Sequence, residues 1–386
     1  MQGLKKWLAV LLLVSVSLVA TGVGLAQKGP QAKELSLQQA IDLALKNNPD
    51  MALAKVDVDS AQAAYDGAKY TADAMDVDRV QTYEMGKLKW NAPAATKMAL
   101  TLAKEKQKLQ EKTLKLNVET AYYDVLKYGQ LLEVKKVTLK YAKDQLKIAQ
   151  DSLKVGSMSK GDVIGVEALV AASEAGVTSA QNDYDMAVME LNKLTGLELD
   201  TPLKLTATFE FVKAADIKVQ DAVYEALANN IEIISVKEEK ALKQVEFETA
   251  KKFLGGGVTS YETAKYAQQA ADIKVKKQEQ DTTLAVKKDY LTLLSLEQVI
   301  NWNKKEVEKQ QENQRIFGLK YKAGLATGQD VQKATIDLET ARQKLAESIY
   351  NYNTLKSKFK YGLFVTGSLT ASGSTGGSSG SAAMGG

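Results

Sequence analysis

The 386-residue chain contains no cysteine and no histidine. Those two absences remove thiolate nucleophiles, disulfides, Cys/His zinc sites and imidazole general bases together, and with them most familiar enzyme classes. Arginine is nearly missing as well, limited to Arg79, Arg315 and Arg342. Nucleic-acid readers use arginine for bidentate contacts to bases and phosphates, so its scarcity argues against a nucleic-acid partner, and the interspersed lysines read as solvated helix faces. An excess of one charge is lacking too. The formal net charge is +4, and removing a leader that holds Lys5 and Lys6 leaves 51 − 2 = 49 basic against 47 acidic residues. No Asp/Glu pair stands apart from an ordinary solvated face, so neither catalysis nor a cofactor is indicated. After the first 26 residues, no segment reads as long and apolar enough to cross a bilayer as a helix.

What is present begins with Met1 to Ala26: two lysines, an apolar run from Trp7 to Val19, then small residues ending in Gly24-Leu25-Ala26. This is the build of a secretory signal peptide with Gln27 as the mature start. No cysteine follows to carry a lipid. The protein is therefore expected to work outside the cytoplasmic membrane, in the cell envelope, and its 45% hydrophobic and 25% charged residues suffice for a substantial core.

Two stretches punctuate the chain. In Leu153-Lys154-Val155-Gly156-Ser157-Met158-Ser159-Lys160-Gly161-Asp162 and Tyr321-Lys322-Ala323-Gly324-Leu325-Ala326-Thr327-Gly328-Gln329-Asp330, an apolar-periodic run ends at a glycine that can turn left-handed. Three residues later Ser159 or Thr327 can cap the next helix, with Asp162 or Asp330 closing a capping box. Each is the expected tip of an antiparallel helical hairpin. The duplication extends further, since Gln38, Ala40, Ala44, Leu45, Asn47 and Asn48 recur as Gln220, Ala222, Ala226, Leu227, Asn229 and Asn230. The tips are separated by 324 − 156 = 168 positions and these helix starts by 230 − 48 = 182. The second copy has thus lost 182 − 168 = 14 residues, assigned to the joint around Gly255-Gly256-Gly257, which answers Thr71 to Ala95 in the first.

Between Thr96 and Val155, apolar residues from Val118 through Leu132 to Leu153 alternate in steps of three and four, broken only by Lys135, which is a coiled-coil seam. Val134, Tyr141, Ile148 and Val155 form part of a second stripe, as in a stave that touches neighbours on both sides. Leu203 to Phe211 alternates as a strand. The expected fold is mainly α: duplicated long helical hairpins, forming an α-barrel when trimeric, with a small strand-containing equatorial region. The expected divisions are 1–26 leader, 27–201 first helical repeat, 202–218 linker and strand region, 219–362 second repeat and 363–386 Gly/Ser-rich tail.

The Leu37 to Pro49 helix start, the duplication and the two glycine tips resemble the TolC family of outer-membrane efflux proteins, over about Leu35 to Gly362. The resemblance implies a homotrimer whose twelve helices enclose a duct. It also implies docking to a periplasmic adaptor (membrane fusion protein), which couples the duct to an inner-membrane pump. Docking would fall on Val155, Gly156, Met158, Ser159 and Asp162 at one tip and Gly324, Leu325, Ala326 and Thr327 at the other. The family closes its entrance with two acids, an Arg and a Tyr near the second tip. Here Tyr321 and Asp330 match, whereas Lys333 replaces the second acid and Ala326 the Arg. Neither Thr71 to Ala95 nor the Gly255 region has room for two membrane strands of about 9–11 residues, which argues against direct insertion in the outer membrane. The rival expectation is a structural coiled coil of the envelope that kept this fold without transport.

Overall fold

The computed structural model describes residues 32–206, 211, 213 and 217–364. The leader, the strand expected across 207–210 and the tail beyond Phe364 lie outside the described residues. Strand β1 (Lys33–Leu35) leads into α1 (Leu37–Asn47), where Ser36 and Gln39 form the expected capping box. Asn48 ends α1 and, through its side-chain oxygen, caps α2 (Pro49–Asp73), so Pro49 sits at the first helical position where no N–H is needed. A cap containing a 3₁₀ turn (Val77–Arg79), the short α3 (Tyr83–Gly86) and one π-helical turn (Lys87–Asn91) leads to α4 (Ala92–Lys154). Then α5 (Lys160–Thr195) returns, and β2 (Leu203–Leu205) pairs parallel with β1. The second copy repeats the scheme as α6 (Val219–Asn229), α7 (Ile231–Phe253), α8 (Thr259–Lys322) and α9 (Gly328–Tyr361).

The repeats match in detail. Asn230 caps α7 as Asn48 caps α2, and both amides donate to a carbonyl near the end of the return helix, that of Asn48 to Leu194 before Gly196 and that of Asn230 to Phe364 after Gly362. Both return helices end in a left-handed glycine, Gly196 and Gly362. At 63 and 64 residues, α4 and α8 are rods, each about 95 Å long at 1.5 Å per residue. Each meets different partners along its length. Toward the tips, α5 packs on α4, α4 on α9 and α9 on α8; toward the other end the order is α2, α4, α7, α8. The chain is therefore a four-helix wall whose edges are α5 and α2 on one side and α8 on the other.

The seam of α4 follows its period: Val118, Ala121, Val125, Leu132, Ala142 and Ala149 are buried, and Lys135 points to solvent. Midway along α4, the fully buried Tyr122 donates its hydroxyl to the Leu35 carbonyl (2.9 Å) and accepts from the Thr206 N–H (3.2 Å). The two-stranded pair is thereby fixed to the equator of the rod. Only three residues pair in each strand, so the alternation expected beyond Leu205 ends, among the described residues, at Thr206.

Both ends opposite the tips are closed by helices and turns, without strands among the described residues. Lys89 donates to the Ala72 and Met75 carbonyls at 2.6 and 2.7 Å, satisfying the open end of α2. Trp90 stacks on Phe253 at 5.9 Å, and Gly86 lies so close to that ring that a Cβ there would meet it at 2.6 Å. The second joint is the turn Leu254 to Val258, with Gly257 at φ +89°.

Candidate docking tips and the edges of the wall

At the first tip Gly156 has φ +73°, the Gly156 N–H donates to Leu153 O and the Ser157 N–H to Ser152 O. At the second, Gly324 has φ +70°, its N–H donates to Tyr321 O and the Leu325 N–H to Lys320 O. Both are Schellman endings, which use up carbonyls that a helix end leaves without partners. Three residues on, both expected capping boxes are formed: Ser159 with Asp162 and Thr327 with Asp330. Asp330 accepts from the Thr327 N–H and hydroxyl, each at 2.8 Å. Those hydrogen bonds hold its carboxyl below the usual aspartate range, the backbone bond contributing most.

The second-tip residue Leu325 is the informative one. In a Schellman motif the residue after the glycine usually rests an apolar side chain on the last helical turn. Leu363, in that place after Gly362, is 4% exposed, whereas Leu325 is 78% exposed. Val155 at the first tip is 79% exposed. Met158 and Ala326, expected at the surface with them, are half-buried, so Val155 and Leu325 are the barest large aliphatic side chains of the two turns. Of the entrance positions, Tyr321 and the replacing Lys333 are exposed, and Asp330 is turned back into its cap.

Sequence periodicity did not reveal what links the two hairpins near the tips. Gln332 on α9 donates to Asp144 at 2.8 Å and accepts from Gln145 at 3.3 Å, both on α4. Farther up, Lys127 of α4 lies over the rings of Tyr128 and Tyr350, 4.5 and 4.4 Å from their centroids. Burial, and then the charge of Asp124 beside it, push the Tyr350 hydroxyl pKa well above its ordinary value.

The edges are the other unsatisfied feature. Contrary to the expectation that no segment after the leader is long and apolar enough to cross a bilayer as a helix, α5 is so by length and composition, and it is mostly unburied. Its apolarity is spread over alanine, valine and glycine, and it is paired along α4. Ile164, Leu169 and Met186 nonetheless face out, as do Leu291, Val299 and Trp302 on α8.

The sequence matches the outer membrane efflux protein family over residues 80–197 and 252–356, one segment in each repeat. The chain belongs to that family. The efflux-family fold recurs in solved structures of low sequence identity. The outer membrane channel CmeC of Campylobacter jejuni matches with a TM-score of 0.67 at 14% identity, covering 86% of this chain and 87% of that one. The outer membrane channel MtrE of Neisseria gonorrhoeae, in its open state, gives 0.64 at 14%, with coverage of 84% and 88%. The outer membrane protein VceC of Vibrio cholerae gives 0.63 at 15%, with coverage of 85% and 95%. Among curated proteins no match is found. The family and these folds make the chain a TolC-like, non-enzymatic transport protein of the cell envelope.

Proposed function

We propose that three copies close edge to edge into the duct of an export assembly, and that the ring of six hairpin tips docks on a periplasmic adaptor coupled to an inner-membrane pump. The bare Leu325, with Val155 at the companion tip, carries the docking part. A turn that only ended a helix would fold this leucine back, as Leu363 is folded, and leaving two aliphatic side chains in water is unfavourable unless something covers them. Six weak contacts in a ring add by multivalency. The exposed apolar edges, α5 on one side of the wall and α8 on the other, support the ring itself.

The test is the double variant Val155→Asp, Leu325→Asp. Neither side chain is packed, so helicity and oligomeric mass should stay unchanged, while cross-linking to the adaptor and export both fall at least tenfold. Export at the wild-type rate would reduce the tips to turns and favour the scaffold reading.

A further inference from the structure

The duplication fixes a register between the two hairpins. At the offset that separates the tips, 324 − 156 = 168, Val118, Val125 and Leu132 of α4 answer Val286, Leu293 and Ile300 of α8, and all are buried. On the return helices Ala180, Ala187 and Leu191 of α5 answer Ser348, Leu355 and Phe359 of α9, again all buried. Within each hairpin the two copies therefore pack alike. Their outward faces differ. On α4, Tyr123, Leu126 and Val134 line grooves shared with α9 and are half-buried or buried. Their counterparts on α8, Leu291, Leu294 and Trp302, are 64%, 40% and 62% exposed. Helix α8 thus carries the face that α4 gives to α9, without the helix that covers it. The counterpart of α9 is α5, which forms the opposite edge of the wall near the tips.

From this we infer that the contact between copies repeats the α4–α9 contact in register but without its polar links, so that copies separate along these seams while the two hairpins of one chain move as one body. The inference rests on the ring proposed above and says how its joints differ. Inside the chain, Gln332 of α9 donates to Asp144 and accepts from Gln145 on α4. At the equivalent places α8 keeps an acid and an amide, Glu312 and Asn313, but α5 has Ile164, whose side chain has no polar atom. The Glu312 carboxylate turns to its own helix instead, accepting from Arg315 at 2.6 and 2.8 Å. The second link is lost in the same way. Lys127 lies over the Tyr350 ring at 4.4 Å, and their counterparts are Ser295 and Asn182, which supply neither cation nor ring. Apolar contact is left to hold the seam at these points. It is non-directional and tolerates sliding, whereas a satisfied hydrogen-bond network specifies one arrangement.

Subunit exchange between isotope-labelled and unlabelled rings of the full chain, followed by native mass spectrometry, reads separation along the seams. Ile164→Gln supplies the missing partner for Glu312 and should slow exchange about tenfold, the worth of one hydrogen bond to a charged group. Asn182→Tyr with Ser295→Lys rebuilds the second link and should slow it as well. All three positions are exposed, so the fold of the chain does not depend on them. Gln332→Leu with Asp144→Leu removes the internal link and should leave exchange at the parent rate. In urea the rings should split into monomers that keep their helical circular dichroism. Exchange that neither rebuilt link slows overturns the inference. Faster exchange on loss of the internal link overturns it too, as does loss of mass and helicity in a single transition. A parent that never exceeds monomer mass sinks the ring reading and this inference with it, whereas a trimer that fails the exchange test sinks this inference alone.

Discussion

At the scale of single residues, four left-handed glycines end helices in this wall, but they are not equivalent. A Cβ at Gly324 meets nothing within 4 Å, whereas one at Gly196 would lie 2.6 Å from the Cβ of Asn47. Gly324→Ala should therefore cost only the left-handed penalty of about 1–2 kcal/mol. Gly196→Ala should add overpacking of about 1–3 kcal/mol, read as a larger drop in urea midpoint. Tyr122→Phe is the complementary case. The hydroxyl bridges Leu35 and Thr206, yet the Thr206 N–H also reaches the Leu35 carbonyl at 3.2 Å, so no backbone group is orphaned by its loss. The expected cost is about 1 kcal/mol, seen as a lower midpoint with unchanged helicity. A loss above about 3 kcal/mol would mean the strand pair depends on that one hydroxyl.

At the scale of elements, what the sequence disclosed follows from what has a period or a punctuation. The seam of α4, the glycine tips with their boxes and the repeated start of α1 and α6 each depend on local rules, and each was legible. Strand β1 was not, because three residues, Lys33 to Leu35, cannot show alternation. The π turn at Lys87–Asn91 and the Trp90–Phe253 cap were equally hidden, since Gly86 matters through Phe253 and Thr249, residues of the second repeat more than 160 positions away in sequence, 249 − 86 = 163. Of the candidate site, the tip turns were legible. The contrast between bare Leu325 and covered Leu363 was not, for both are a leucine after a glycine. The second tip also carries a pH dependence with a definite sign. Hydrogen bonds from Thr327 lower the Asp330 pKa, so the box contributes fully above the ordinary aspartate value of about 3.9 and is lost as pH falls through the lowered folded value. Amide exchange at the start of α9 should therefore quicken below about pH 4, and Asp330→Asn should remove that step in the profile.

At the scale of the whole molecule, the wall is incomplete in a directed way. Its inner contacts are ordinary, with α4 held to α9 by Gln332 and the Lys127 and Tyr350 stack, so the two repeats do not come apart readily. Its outer helices are different: α5 is apolar and mostly unburied, while α8 leaves Trp302 at 62% and Leu291 at 64% exposure. A monomer would keep both edges wet, at roughly 25 cal/mol for each Å² of apolar surface. Copies that pair α5 of one with α8 of the next cover both with one repeated contact, and curvature decides how many close the ring. Counted from the tips, Met186 on α5 lies 186 − 160 = 26 residues along and Trp302 on α8 lies 322 − 302 = 20, so the two stand near one level of the wall. Met186→Lys together with Trp302→Lys should then put like charges across the contact. Sedimentation of this variant is expected to show monomer where the parent is a trimer, with the helical circular dichroism retained. A parent chain that stays monomeric at micromolar concentration would remove the duct and leave the scaffold. A trimer unmoved by both lysines would keep the duct and place these side chains on its lumen or outer face instead of its seams.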